Sequence, residues 1–240
     1  MTLNELIEQY PDINNATFSG DDISVFTLSF DYPKAFENKH GADWTHHVKK
    51  INLGSLKSKD LQWIPEVFPN IQKIQINSAP KIKSVKGLEK LAFLEELYIQ
   101  KLQNWTNLIE LQSLENLKKL IIENVGKDAV FNIDEFPGKL NSLDIIVRDE
   151  LGQKLTEKLD FSIFSALEEL RIESTSMGNG SSIVLPNTIN KLFIHRVSTL
   201  SDLNFLNTLT DTCNIVLRGP ELSKLVVPSM FNNFKIIPHN

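Results

Sequence analysis

Two apolar residues separated by one position return along this chain at a nearly fixed interval. The first members are Leu28, Ile51, Ile74, Leu97, Leu120, Leu143, Leu170, Leu192 and Ile215. Two places on stand Phe30, Leu53, Ile76, Ile99, Ile122, Ile145, Ile172, Ile194 and Leu217. The first six copies lie 23 residues apart, and the later gaps are 27, 22 and 23. Three places ahead of each pair runs a further apolar column, Val25, Val48, Ile71, Leu94, Leu117, Leu140, Leu167 and Ile189, broken only by Thr212. With 41% hydrophobic residues, chance fills both columns of the pair with odds of roughly 10⁻⁷, so the repeat is a property of the chain. Apolar alternation of period two over a few residues means a short strand with one buried face. One such strand cannot bury that face alone, whereas a stack of them forms a continuous core.

The segments between the strands carry apolar residues every third place: Leu102, Trp105, Leu108, Leu111, Leu114, and again Val197, Leu200, Leu203, Leu206, Leu209. Ile82, Val85, Leu88 and Leu91 repeat the series in part. That spacing predicts 3₁₀-like turns. Together the elements resemble the leucine-rich repeat, L-x-x-L-x-L followed by a turn and a return segment, best in Leu94-Glu-Glu-Leu97-Tyr-Ile99 and Leu117-Lys-Lys-Leu120-Ile-Ile122. The resemblance covers residues 23–218, and the compact return segments are similar to those of internalin-type bacterial repeats. It implies an α/β leucine-rich-repeat solenoid: a curved parallel β-sheet on the concave side, short helical or 3₁₀ return segments, and about nine repeats plus caps. The family usually places Asn where the chain leaves the strand. Here that place holds Leu56, Ala79, Leu102, Val125, Arg148, Thr175 and Val197, so the Asn ladder is missing.

The expected organisation is an N-terminal cap over residues 1–22, repeats over 23–218 and C-terminal cap strands over 219–240. Thr2-Leu-Asn-Glu5 is a capping box, which predicts a short helix over 2–10 covering the first strand. His40, Asp43, His46 and His47 suggest a metal site, but His46 and His47 adjoin a predicted strand and should point to opposite faces, which favours a structural role. Leu61 and Ile64 are the expected buried residues of their return segment, leaving Trp63 partly exposed. Leu151, Leu155 and Leu159 predict a helix within residues 149–160. The small-residue stretch Ser174–Ser182 reads as a flexible turn, since no Lys follows its glycines as in a phosphate loop. Leu222-Ser-Lys-Leu225-Val-Val227 and Phe231-Asn-Asn-Phe234-Lys-Ile236 read as truncated terminal strands, with Pro228 and Pro238 discouraging further pairing.

Net charge is −5 with both signs mixed, against the clustered cations that non-specific nucleic-acid binding needs. Cys213 is the only cysteine, so neither an intramolecular disulfide nor a Cys-based zinc cluster can form. The first ten residues lack a basic region followed by an apolar core, and no apolar run is long enough to span a bilayer. A cytoplasmic monomer follows as the expectation. There is no Gly-x-Ser-x-Gly elbow, His-Glu-x-x-His, Walker loop or Gly-x-Gly-x-x-Gly, so the sequence points to no enzyme, cofactor or metal.

Side chains between and just after the buried pair should face away from the core. One such column reads Ser29, Asn52, Gln75, Tyr98, Ile121, Asp144, Arg171, Phe193 and Val216; the other reads Asp31, Gly54, Asn77, Gln100, Glu123, Ile146, Glu173, His195 and Arg218. The early members are small and polar, whereas Tyr98, Ile121, Ile146, Phe193 and Val216 bring apolar surface among Asp144, Arg171, His195 and Arg218. Such a patch rimmed by charge has the make-up of a protein interface. The resemblance implies protein binding on this face, so the expectation is a non-enzymatic scaffold for a protein partner. An immunity- or antitoxin-like inhibitor of a toxin is a sharper version that no residue selects. A polar pocket around His195, Asp144, Arg171 and Glu173, for a small ligand or a reaction, is the rival from another class.

Overall fold

The structure is a computed structural model that describes residues 2–10, 16–19, 37–156, 158–174, 182–196, 200, 202–219, 225–226, 229–231 and 234–237. Its strands, in chain order, are β1 (Ala16–Ser19), β2 (Lys50–Leu53), β3 (Lys73–Ile76), β4 (Glu96–Ile99), β5 (Lys119–Glu123), β6 (Val130–Phe131), β7 (Ser142–Ile146), β8 (Lys154–Leu155), β9 (Leu159–Asp160), β10 (Glu169–Glu173), β11 (Ile183–Val184), β12 (Lys191–His195), β13 (Asn214–Arg218) and β14 (Phe234–Ile237). Ten of them form one open sheet whose spatial order follows the chain. From β2 to β14 every pairing in this sheet is parallel, so nine strands run one way. The four two-residue strands make two ladders of their own, β6 with β8 and β9 with β11.

The repeat interval appears in space as register. Ile51, Ile74, Leu97, Leu120, Leu143, Leu170, Leu192 and Ile215 stand side by side on successive strands, as do their partners two places on. Both rows are buried in one apolar core with the return segments. The column ahead of them, from Val48 to Ile189, is buried too, and at its broken member Cys213 is buried instead of the exposed Thr212. Burial pushes the Cys213 thiol up to about 11, so it behaves as a small apolar side chain.

The amino-terminal end differs from the expected pattern, whereas the expected terminal strand at Phe234 is present at the other end. Leu28 and Phe30 lie outside the described residues, and β1 pairs antiparallel along the edge of β2 that a parallel strand there would need. At the other end Phe234 pairs with Ile215, so β14 extends the parallel sheet by a ninth strand. The stretch around Leu222 and Val227 lies outside the described residues except for Leu225 and Val226. Helix α1 (Leu3–Gln9) has the full capping box: the Thr2 N–H donates to Glu5 Oε2 at 2.7 Å, and the Glu5 N–H donates to Thr2 Oγ1 at 3.2 Å. Leu6 is buried, and Tyr10 at the helix end stacks on Trp63 at 5.2 Å. This contact corrects the expectation for Trp63, which is only 6% exposed because the cap covers it and Phe68 packs against its edge.

The return segments are mostly 3₁₀ turns, at Leu88–Lys90, Leu108–Ser113, Ile133–Glu135, Phe161–Ile163 and Asn204–Thr208, with one short α-helix at Trp63–Val67. Asp60, Asn107, Asn132, Asp160 and Asp202 open five of the six by accepting from the backbone N–H two places on. With no recurring Asn after the strands, the turns are tied from repeat to repeat in two ways. At the strand exits the backbone bonds across repeats, Leu56 N–H to Ser78 O and Ala79 N–H to Lys101 O. At the strand entries Asn70 donates to His46 O, Asn116 to Ala92 O and Thr188 to Leu167 O, each about one repeat back.

Residues 149–160 correct the expectation of a helix. Only Asp149–Leu151 makes a 3₁₀ turn, and Gly152 then takes φ +70, which leaves the helical region. Leu155 belongs to the ladder with β6 and Leu159 to the ladder with β11, so the four-residue spacing of the leucines serves two separate pairings. Just ahead of β8, Gln153 is fully buried. Its Nε2 donates to Val125 O and Gly126 O, and its Oε1 accepts from the Arg148 N–H. The Ser174–Ser182 stretch, apart from its two end residues, lies outside the described residues.

His46 and His47 sit on a 3₁₀ turn, Gly41–His47, rather than at a strand entry, and the His47 ring stacks on His40 at 3.8 Å. Among the described residues no group of three His, Cys, Asp or Glu side chains is placed to hold a metal ion. Among the same residues no helix is long and apolar enough to cross a membrane. Replacing Gln153 by Ala strips partners from two buried carbonyls and one N–H, and should cost about 2–3 kcal/mol in urea unfolding. A change below about 0.5 kcal/mol would show that the turn does not depend on this amide.

Candidate functional site

Strand alternation sends every second side chain of the large sheet away from the core. The resulting open face is a grid of in-register rows. Its central row runs Asn52, Gln75, Tyr98, Ile121, Asp144, Arg171, Phe193, Val216 and Lys235, each the lateral neighbour of the next. From Tyr98 to Val216 this row covers about 25 Å at the usual strand spacing. A second row brings together Glu123, Ile146, Glu173, His195 and Arg218. A row not anticipated from the sequence precedes both: Lys50, Lys73, Glu96, Lys119, Ser142, Glu169, Lys191 and Asn214. It carries surface ion pairs Lys73–Glu96 at 2.8 Å and Lys191–Glu169 at 2.5 Å.

The face changes character along the sheet. Over β2 and β3 the amides bond to one another, Gln75 Nε2 to Asn77 Oδ1 and Asn77 Nδ2 to Asn52 Oδ1, both at 2.8 Å. Tyr98 and Ile121 begin the apolar part, beside a shallow depression of about 160 Å³ lined also by Lys73, Gln75, Glu96 and Lys119. Burial and the carboxylates Glu123 and Asp144 push the Tyr98 phenol above its ordinary value, which keeps it protonated. Further along, Phe193 and Val216 are half-buried, and the His195 ring meets Phe193 edge-on at 6.4 Å.

Between these apolar groups lies a charged cluster centred on Glu173, whose side chain is 15% exposed. Arg148 and Arg196 each place Nη1 at 3.4 Å from its Oε1, and Arg171 places Nη2 at 3.8 Å from its Oε2. Arg171 also faces Asp144 at 3.5 Å, while Arg148 Nε donates to Asn124. Arg196 holds its backbone at φ +62, a conformation rare for a residue with a side chain. Arg171 Nε and Asp144 Oδ1 are buried without a hydrogen-bond partner. Burial raises the Asp144 carboxyl to about 6; Arg171 opposes the shift, and Glu123 and Glu173 add to it. His195 moves the other way, lowered by burial and by Arg171 and Arg218 against the pull of Glu173, so its imidazole is neutral at pH 7.

Of the expected contact residues, Tyr98, Ile121, Asp144, Arg171, Phe193, His195, Val216 and Arg218 share this face. Ile146 does not offer contact surface. It is 5% exposed although it points away from the core, because Glu123 and Glu173 flank it and Arg148, two places on, reaches across to Glu173 and Asn124. Asp144, Arg171, Glu173 and His195 are brought onto adjacent strands, as the rival reading requires. Asp144 and His195, however, are two strands and two residues apart, about 12 Å between Cα atoms, too far for direct proton transfer. Arg148 and Arg196 were missed because they lie past the strand ends, where alternation gives no direction. A signal was present all the same: the chain has four arginines, Arg148, Arg171, Arg196 and Arg218, one in each of four successive repeats.

The Asp144 shift predicts a pH dependence. The folded protein keeps a proton to about 6 that the unfolded chain releases near its ordinary value of 3.8, so stability falls as pH rises through that window and then levels off. Native protein should lose about 1–3 kcal/mol between about pH 4 and pH 7 that Asp144→Asn does not lose. Parallel stability profiles from urea titrations of the two proteins would contradict this. No known family profile matches the chain, and no curated protein is similar to it.

Proposed function

We propose that this chain is a leucine-rich-repeat solenoid that works as a non-enzymatic scaffold, docking a protein partner on the concave, open face of its sheet. A single observation carries the reading: Tyr98, Ile121, Asp144, Arg171, Phe193 and Val216, scattered over more than a hundred residues of sequence, form one uninterrupted lateral row. Half-buried aromatic and aliphatic side chains between anchored charges are the composition of interface hot spots. Rigid strands hold them in place, so little conformational freedom is lost on binding. The partner is a folded protein or peptide, and the scaffold acts as a monomer in the cytoplasm.

The polar cluster supports this reading over an enzymatic one. Its cations converge on Glu173 within the protein, and its two groups shifted toward neutrality stand too far apart to relay a proton. Tyr98→Ala and Phe193→Ala should each weaken partner binding by about 1–3 kcal/mol while leaving thermal unfolding nearly unchanged. The check is affinity capture from native lysate with wild type and the double variant. The same partner retained equally by both would remove this face from the function.

A further inference from the structure

All four arginines of the chain lie on or just past β7, β10, β12 and β13, in the later half of the sheet; every other basic side chain, histidine aside, is a lysine. Arginine is the cation suited to carboxylates, because its planar fork of N–H donors matches the two carboxylate oxygens. Here three guanidiniums, those of Arg148, Arg171 and Arg196, share the one carboxylate of Glu173 at 3.4 to 3.8 Å. None makes a close bidentate pair with it, and the Arg171 Nε–H has no acceptor. Each guanidinium has five N–H donors, and most of this capacity is not taken up by other described residues. Arg218, one rung beyond His195, is exposed and makes no ion pair among the described residues, and the same holds for the exposed Lys235 beside Val216.

The charge balance over these strands is the opposite of the whole chain's. On β10, β12, β13, β14 and the turn at Arg196, the open face presents Lys191, Arg171, Arg196, Arg218 and Lys235 against Glu169 and Glu173, and both carboxylates are already paired. The chain as a whole carries −5. Phe193 and Val216 stand in the middle of these cations.

We propose, resting on the reading of the face as a protein-docking surface, that its occupant is an acidic polypeptide segment, whose carboxylates meet Arg171, Arg196 and Arg218 and whose apolar side chain sits on Phe193 and Val216. Glu173 holds the guanidiniums in place beforehand, which lowers the ordering cost when an outside carboxylate arrives. A nucleic acid fits less well, because a polyanion running along the row would meet Asp144, Glu123 and Glu96 on the neighbouring strands. Electrostatic attraction to exposed arginines also predicts that binding weakens with salt.

The test selects random displayed peptides of about twelve residues on the wild-type protein and titrates synthetic copies of the winners. Selected peptides should place two or more Asp or Glu residues around an aromatic or aliphatic one. Their affinity should fall at least about tenfold with Arg218→Glu/Lys235→Glu, should fall with added NaCl, and should be unchanged by Lys83→Glu, the same kind of charge change on an exposed return segment. Neutral or basic winners that are lost with Tyr98→Ala/Phe193→Ala would overturn the acidic occupant while leaving the docking face intact. Winners indifferent to every open-face substitution, or no enrichment over the Arg218→Glu/Lys235→Glu protein, would overturn both. A single-stranded oligonucleotide bound more tightly than any peptide and released by the same charge reversals would replace the polypeptide with a polyanion and overturn the proposal.

Discussion

Lateral register between successive parallel strands is the constraint on which everything else in this molecule depends. Each strand contributes only two inward apolar side chains, too few to form a core alone, and the core exists because Ile51 to Ile215 line up strand after strand. A slip of one residue would exchange the buried and open faces of a strand, so burial and surface chemistry are fixed by the same choice. Tyr98 can neighbour Ile121 only if Leu97 neighbours Leu120 in the core. The open face is therefore as well defined as the interior.

Between the strands the chain must turn without leaving buried backbone groups unpaired, and it does so without a recurring Asn at the strand exits. Side chains at the return-segment entries accept from the backbone two places on, while Asn70, Asn116 and Thr188 tie one repeat to the one before. Where the interval lengthens to 27 residues, Gln153 takes over with three bonds to turn backbone, and the two-residue ladders β6–β8 and β9–β11 add further pairing. The longer repeat is accommodated on the return side, leaving Leu143 and Leu170 in register. At the amino-terminal end the capping-box helix brings Tyr10 onto Trp63, which closes the core laterally.

The strands were legible because their signal recurs and each copy supports the others. Elements that occur once were legible only where a local signal marks them, as the capping box marks α1. Leu151, Leu155 and Leu159 have helical spacing, but the positive φ of Gly152 and two separate strand pairings decide the outcome, and neither leaves a local pattern. The burial of Trp63 depends on a helix more than fifty residues away in sequence. Ile146 shows the limit of reasoning by alternation: its direction was foreseen, whereas its cover comes from Arg148 and Glu173, whose side chains cross between strands. The two rows between Tyr98 and Arg218 were readable as a face, but the convergence on Glu173 was not, since two of its three arginines lie beyond the strand ends.

The open face carries a gradient of chemistry, from self-bonded amides over β2 and β3 to arginines and aromatic rings over β10 to β13. The proposed docking role requires that gradient to lie on one continuous surface. The most direct measurement is side-chain NOE spectroscopy on isotope-labelled protein, read at the rows that define that surface. In-register stacking predicts contacts from the Tyr98 ring to the Ile121 methyls and from the Phe193 ring to the Val216 methyls. Contacts from Tyr98 to Leu120 or Ile122 instead, or from Phe193 to Ile215 or Leu217, would mean a slipped register and would contradict both the open face and the function built on it.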